Sequence, residues 1–474
     1  MITFGMYQNQ IVAAVAATVG AFGLGTVLGY TSPAMPDLKE RIYNGTVDIE
    51  PFSEETESWI GSIINLGALA SAIVVGILVD IIGRKLTMLL LSAPFVLGWL
   101  LLAFAKNSAM IIIGRVITGF CGGGFSLAAP LFVAEMAEDN IRGALGSGFQ
   151  VMVTFGILFV YVFGSFLSFQ WLAIICGFVP LVFLVAMIFI PESPRYLVAK
   201  GKSADASRSL CWFRKKTSSQ EVEDEMRIIE MSVNEMKAQA SSMSDLFEPH
   251  HLRPSLLMIA LMCFQQLSGI NAVIFYTSDI FSSAGSTMDE NLSTIIVGIV
   301  QFVATVSSIF FVDRAGRKIL LLISSAVMCG SLVVLGIFFQ LQADGKDEGL
   351  GWLPLICLML FICAFSIGYG PIPWLMLGEL IPQKVKARVA SLSTVINWGL
   401  SFIVTKFFKS IQDALTIQWC YWIFAIICAI GFVFVFLLLP ETKGKSIEEI
   451  QKYFGGPTSS TEPQTQNKTK QQPE

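Results

Sequence analysis

Histidine and charge are what this chain of 474 residues has least of. It carries two histidines, and 14% Asp, Glu, Lys and Arg against about 25% in ordinary soluble domains. His250 and His251 are adjacent in a polar connector and read as a solvated pair. No Cys, His or carboxylate set has metal-ligand spacing, so no metal is expected. No G-x-x-x-x-G-K-[ST] loop and no G-x-S-x-G elbow occurs, so neither ATP hydrolysis nor acyl transfer is indicated. The chain is therefore not expected to be an enzyme, and neither a cofactor nor a nucleic-acid partner is expected. Most of the nine cysteines fall inside apolar runs and read as packing residues rather than a disulfide framework.

What the sequence has in abundance is apolar length. Hydrophobic residues make up 54%, the mean hydropathy is +0.68, and runs of about 20 apolar residues, enough to cross a bilayer, recur along the chain. Twelve such spans divide six and six around a polar connector. Most of the 31 Lys and Arg fall in alternate connections, which places both termini in the cytoplasm. The first loop, Ala34 to Glu57, then lies outside. It is acidic and carries Asn44-Gly45-Thr46, a glycosylation acceptor; Asn467-Lys468-Thr469 also matches but falls on the cytoplasmic side.

The expected fold is an all-α polytopic membrane protein. Residues 1–195 form one six-helix bundle, 196–253 cytoplasmic linker helices, 254–445 a second bundle, and 446–474 a disordered Pro, Thr and Gln rich tail.

The halves are repeats of one another. Asp80-Ile81-Ile82-Gly83-Arg84-Lys85 follows the second span and Asp313-Arg314-Ala315-Gly316-Arg317-Lys318 the eighth. Glu135 and Arg142 bracket the loop after span four, Glu379 and Arg388 that after span ten. Glu192 closes the first half within "PESPR", and Glu441 the second within "PETKG". Arg84, Glu135, Arg142, Glu192, Arg317, Glu379, Arg388 and Glu441 are expected to form a cytoplasmic latch between the halves. Exposed pairs worth about 0–1 kcal/mol each would bias a rocking equilibrium without locking it. The alternative is that the Gly-Arg-Lys loops are tight turns obeying the topology rule.

Span seven reads "CFQQLSGINAVIFYT". Gln265, Ser268 and Asn271 fall at i, i+3, i+6, one slanting row on a helix, with Gln266 beside it. Carboxamides donate and accept without charge, as a hydroxyl-rich ligand requires; Gly269 permits local unwinding. The alternative is interhelical glue.

These motifs, with "GRVITGFCGGG" at Gly114 to Gly124 and "GYGPIPWLMLGE" at Gly368 to Glu379, resemble those of the sugar porters of the major facilitator superfamily, from about Val15 to Ser446. Within that family the first span resembles that of insect facilitated trehalose transporters and related glucose facilitators. The resemblance implies a sugar cavity lined by Gln150, Gln265, Gln266, Asn271, Gln301, Trp374 and Asn397, gated externally by Phe275 and Tyr276. It departs from many glucose facilitators at Ser366, where they carry Glu, and at Phe132, where the family usually has Tyr. In proton symporters of the family an Asp follows the "GY" of the first span and pairs with an Arg of span four; here those positions are Thr31 and Arg115. No carboxylate lies between Ile11 and Pro36, so the resemblance implies facilitated diffusion. The expected partners are a small sugar and the lipid bilayer. The functional unit is expected to be a monomer in the plasma membrane, moving trehalose; a hexose facilitator, a proton symporter and a sugar sensor are the alternatives.

Overall fold

Twelve helices long and apolar enough to span a bilayer are found among the described residues of the computed structural model, which are 7–238, 246–284, 289–445 and 447–455. Spans one to six are Gln8–Gly29, Glu54–Ile81, Arg84–Ala103, Ser108–Met136, Asp139–Gly164 and Phe169–Ile188. Span seven is broken into Pro249–Leu267 and Ile270–Phe275. Spans eight and nine are Glu290–Ala315 and Arg317–Ala343. Span ten is broken into Leu353–Ile367 and Ile372–Leu380, and spans eleven and twelve are Gln383–Leu415 and Ile417–Leu438. This is the twelve-helix major facilitator fold that the sequence led us to expect. Residues 456–474, with Asn467 and most of the expected tail, lie outside the described residues.

Local chemistry sets where the helices start. Spans two, four, six and eight begin on one face of the bundle at Ser53, Asn107, Ser168 and Asp289, whose side chains accept backbone N–H bonds from the first turn. Spans three and nine begin on the other face after Gly83 and Gly316, both in left-handed backbone with φ of 102° and 93°.

The repeat is visible in the packing. Span one lies along five as seven lies along eleven; two along four as eight along ten; three along six as nine along twelve. The halves meet where span two packs on eleven and span five on eight, a seam with the same symmetry. Apolar side chains such as Ile77, Phe178 and Leu437 stand outward, more than half exposed, as lipid-facing helices require.

One sequence expectation changes. The first loop is not loop throughout: Thr31–Tyr43 continues span one as a helix, with Pro36 inside it, before the chain turns at Asn44 and Gly45. The connector is helical, as expected, and its helices dock on the first half. Ser203–Arg214 and Glu223–Ala238 share a small core of Val198, Leu210, Val222 and Met226. Arg214 donates to the Met136 carbonyl at 2.9 Å, and Asn9 to that of Trp212 at 2.6 Å.

Candidate functional site in the seam between the halves

The break in span seven is built by Gly269, whose φ of 88° suits glycine and whose missing Cβ would stand 2.7 Å from the Phe424 ring. Span ten breaks at Gly368, where a Cβ would meet Ser324 Cβ at 2.3 Å. The two breaks face each other. Gln265 Nε2 donates to the Tyr369 carbonyl at 2.7 Å and to that of Gly370 at 3.1 Å. These are carbonyls that the interrupted helix leaves without their usual partners.

From there a chain of amides crosses the half. Asn397 Nδ2 donates to Gln265 Oε1 at 2.8 Å, and Gln266 Nε2 donates to Asn397 Oδ1 at 2.9 Å. Asn271 Nδ2 donates to Gln266 Oε1 and to Ser401 Oγ, both at 2.6 Å. The structure thus brings Gln265, Gln266, Asn271 and Asn397 into one buried network. Ser268 does not line it; its hydroxyl turns back to the Gln265 carbonyl at 2.7 Å, because the helix ends there.

Gln150, Gln301 and Trp374 stand outside the network. Gln150 is half-buried on span five and Trp374 is 40% exposed just past the span-ten break. Gln301 is 3% exposed and its Oε1 is a buried acceptor with no hydrogen bond, an atom of the kind a ligand hydroxyl satisfies. Phe275 and Tyr276 are both buried, and the Tyr276 ring stacks on Phe408 with centroids 5.4 Å apart. The Tyr276 hydroxyl stands 3.1 Å from where a Cβ on Gly61, of the other half, would be.

Arg115 is fully buried. Its guanidinium donates to Thr31 Oγ1 at 2.6 Å, to the Val27 carbonyl at 3.0 Å and to the Ile60 carbonyl at 3.2 Å, with the Tyr30 ring 5.7 Å away. All three acceptors are neutral oxygens.

The charges were expected to pair across the halves when the cytoplasmic side is shut; in this structure, whose halves are joined on the opposite face, four of them, two per half, tie a knot within each half. Arg84 Nη2 donates to Glu135 at 2.8 Å, and Arg317 Nη2 to Glu379 at 2.8 Å. The second oxygen of Glu135 accepts from Ser193, that of Glu379 from Thr442. Glu192 accepts the Lys85 backbone N–H at 3.0 Å, and Glu441 those of Arg317 and Lys318 at 3.0 Å each. Both carboxylates therefore sit at a helix N-terminus, where exposed N–H groups and the helix dipole favour negative charge. Burial nevertheless pushes the Glu192 carboxyl above its usual range. At Glu441 burial pushes the same way but is outweighed by donors from Lys443, Arg317, Lys318 and Thr442, and its carboxyl is held below that range. Arg142 donates to the Ala137 carbonyl, also within its half; Arg388 is half-buried on span eleven.

On the face opposite the knots, hydrogen bonds join the halves. Ser32 meets Ser278 at 3.1 Å, Tyr161 donates to the Ile274 carbonyl at 2.9 Å, and Ser58 donates to the Lys406 carbonyl. Glu57 pairs with Lys39 of its own half and Lys409 of the other, and Lys406 lies 4.6 Å above the Trp59 ring. Deeper in the same seam Asn65 accepts from Ser401 at 2.9 Å and donates to Thr405 at 3.0 Å. Asn65, Ser401, Glu57 and Lys409 were not expected from the sequence. Asn65 had a usable signal, a carboxamide in an otherwise apolar span; Glu57 and Lys409 sit at span ends and carry none.

His250 and His251 are not a solvated loop pair. They open span seven, with His251 buried, and both contact Glu248, at 3.2 and 3.3 Å.

A family model described as "Sugar (and other) transporter" matches residues 11–454. The facilitated trehalose transporter Tret1 of Apis mellifera ligustica is 41% identical over 96% of this chain and 90% of its own length. That of Bombyx mori is 43% identical over 94% of this chain and 86% of its own. Among solved structures, the major facilitator superfamily proton:xylose symporter XylE, bound to 6-bromo-6-deoxy-D-glucose, superposes with a TM-score of 0.78. It is 23% identical, covering 95% of this chain and 100% of that one, and shares the fold. With a family match over nearly its whole length and relatives above 40% identity, the chain belongs to the sugar transporter family.

Proposed function

We propose that this protein is a facilitative transporter that carries trehalose down its gradient by alternating access. The observation carrying the uniport reading is the surround of Arg115. Proton coupling needs a group that changes charge during the cycle, and the guanidinium's hydrogen-bond partners are a threonine hydroxyl and two carbonyls, with no carboxylate among them. Trehalose is favoured by the likeness to facilitated trehalose transporters, and neutral amides together with a tryptophan on span ten suit a pyranose. Gln150, Gln301, Trp374 and the four networked amides are the proposed sugar contacts, with Phe275 and Tyr276 closing the outer side. The face bearing Asn44 is the outer one, both termini are cytoplasmic, and the membrane is the plasma membrane. Asn44 is exposed just past a helix end, a position open to glycosylation.

Uptake of labelled trehalose and of labelled glucose into cells expressing the protein tests this, at acidic and neutral pH, with and without a protonophore. Saturable trehalose uptake indifferent to the protonophore is expected. Uptake of neither sugar would sink the substrate assignment; glucose alone would make it a hexose facilitator; abolition by the protonophore would overturn uniport.

A further inference from the structure

Asn65 is the one residue of the first half in the hydrogen-bond chain that runs, among the described residues, from the span-ten break to the seam. It lies on span two, fully buried, and both ends of its carboxamide go to span eleven, Oδ1 to Ser401 and Nδ2 to Thr405. Ser401 has a single hydroxyl proton. While that proton is held by Asn65, Ser401 meets Asn271 only as an acceptor, and Asn271 must donate to it. The other Nδ2 hydrogen of Asn271 goes to Gln266. Both donors of Asn271 are then committed, which leaves its Oδ1 as the atom to meet a ligand hydroxyl.

We infer that Asn65 couples the closure of the outer seam to the hydrogen-bonding polarity of the amide row, and so sets the difference in sugar affinity between the two faces of the carrier. When spans two and eleven part, the Ser401 proton is released and is free to turn toward Asn271 or the sugar. Asn271 is then free to flip and offer its N–H groups instead of its oxygen. Asn65 is a positioning residue: it acts on the sugar through Ser401 and Asn271. The inference rests on the transport reading for its flux arm, while its second arm needs no sugar.

The test compares Asn65→Leu, close in size but without hydrogen-bonding atoms, with the parent in the full-length protein. Removing the two bonds favours the outer-open carrier. The ratio of internal to external half-saturation concentrations for labelled trehalose is expected to rise on the order of tenfold, the worth of one to two neutral hydrogen bonds. Maximal equilibrium exchange, in which the loaded carrier shuttles, is expected to stay within about twofold, well below one such bond. Independently, a Ser278→Cys reporter in the closed seam, read above the background of native cysteines, should label faster with an impermeant maleimide in the Asn65→Leu background. Ser401→Ala should shift the flux ratio alike, and the double variant no further.

An unchanged ratio and unchanged labelling at normal surface abundance overturn the inference. Exchange falling as much as net flux also overturns it, since Asn65 would then touch the sugar. If no trehalose is carried by the parent, the transport reading fails and labelling alone decides. Should Asn65→Leu fail to reach the surface, Asn65→Ser, too short to span to Thr405, takes its place in the same assays: a raised ratio and faster labelling support the coupling, and no change in either overturns it.

Discussion

At the scale of single residues, the amides of this protein satisfy one another. Gln265 and Asn271 each have both amide hydrogens engaged, and Gln266 and Asn397 exchange bonds with both neighbours. A buried network of this kind is costly when half-broken, because an unpaired buried donor loses about 1–3 kcal/mol. In the proposed transport cycle a sugar therefore exchanges bonds with the committed amide hydrogens and meets open acceptors at Asn271 Oδ1 and at Gln301 Oε1, which is buried without a hydrogen bond. Asn271→Ala and Gln266→Ala are expected to abolish uptake while the protein stays at the cell surface, measured by surface biotinylation alongside flux. Loss of surface protein instead would assign these amides to holding helices together.

At the scale of elements, glycines decide where helices stop and how the two knots close. Gly83 and Gly316 sit against the carboxylates of Glu192 and Glu441; a Cβ would stand 2.4 Å and 2.8 Å from an Oε2 atom. Combined with left-handed backbone, worth about 1–3 kcal/mol of strain for other residues, this predicts that Gly83→Ala lowers the melting temperature of the detergent-purified protein. Gly316→Ala should do so less, given its wider gap.

The two knots should also part company with pH. The Glu192 pKa is raised on folding, so its contribution is fullest below the unfolded value, about 4.3, and is lost as pH rises through the folded value. The melting-temperature advantage of the parent over Glu192→Gln is expected to grow as pH falls toward that window. Glu441 is lowered, so its contribution is present above about 4.3 and lost as pH falls below it. The advantage over Glu441→Gln should hold at mild acidity and shrink only in stronger acid.

At the scale of the whole molecule, hydrogen bonds and ion pairs clasp the halves together on the face opposite the knots, with Glu57 between Lys39 and Lys409 at its rim and Asp279 3.8 Å from Lys409. The Glu57 side chain is 7% exposed and that of Lys39 is 42% exposed. Removing the buried partner leaves a lysine facing a desolvated seam, whereas the exposed pair is worth about 0–1 kcal/mol. Glu57→Gln is therefore expected to speed maleimide labelling of the Ser278→Cys reporter several-fold, and Lys39→Met hardly at all. Equal effects would show that the rim charges do not hold the seam.

Spans, halves and repeat were legible in the sequence because each is a local or periodic property: apolar length, basic loops, and the same Gly-Arg-Lys and Pro-Glu signatures twice. Gln265, Gln266 and Asn271 were legible as well, since a carboxamide in a membrane span has to have a partner. What only the tertiary structure decided is who that partner is. Glu135 meets Arg84 and Glu379 meets Arg317 within their own halves, not across them, because residues 51 and 62 positions apart are brought together by helix packing that no local pattern encodes. Likewise Ser268 turns back on its own helix, and Asn65 reaches Ser401 across 336 positions of sequence. Composition and periodicity determined that this chain crosses a membrane twelve times in two like halves with neutral polar groups inside. The geometry of contact, which depends on how two bundles lean together, decided which of those groups hold the seam shut.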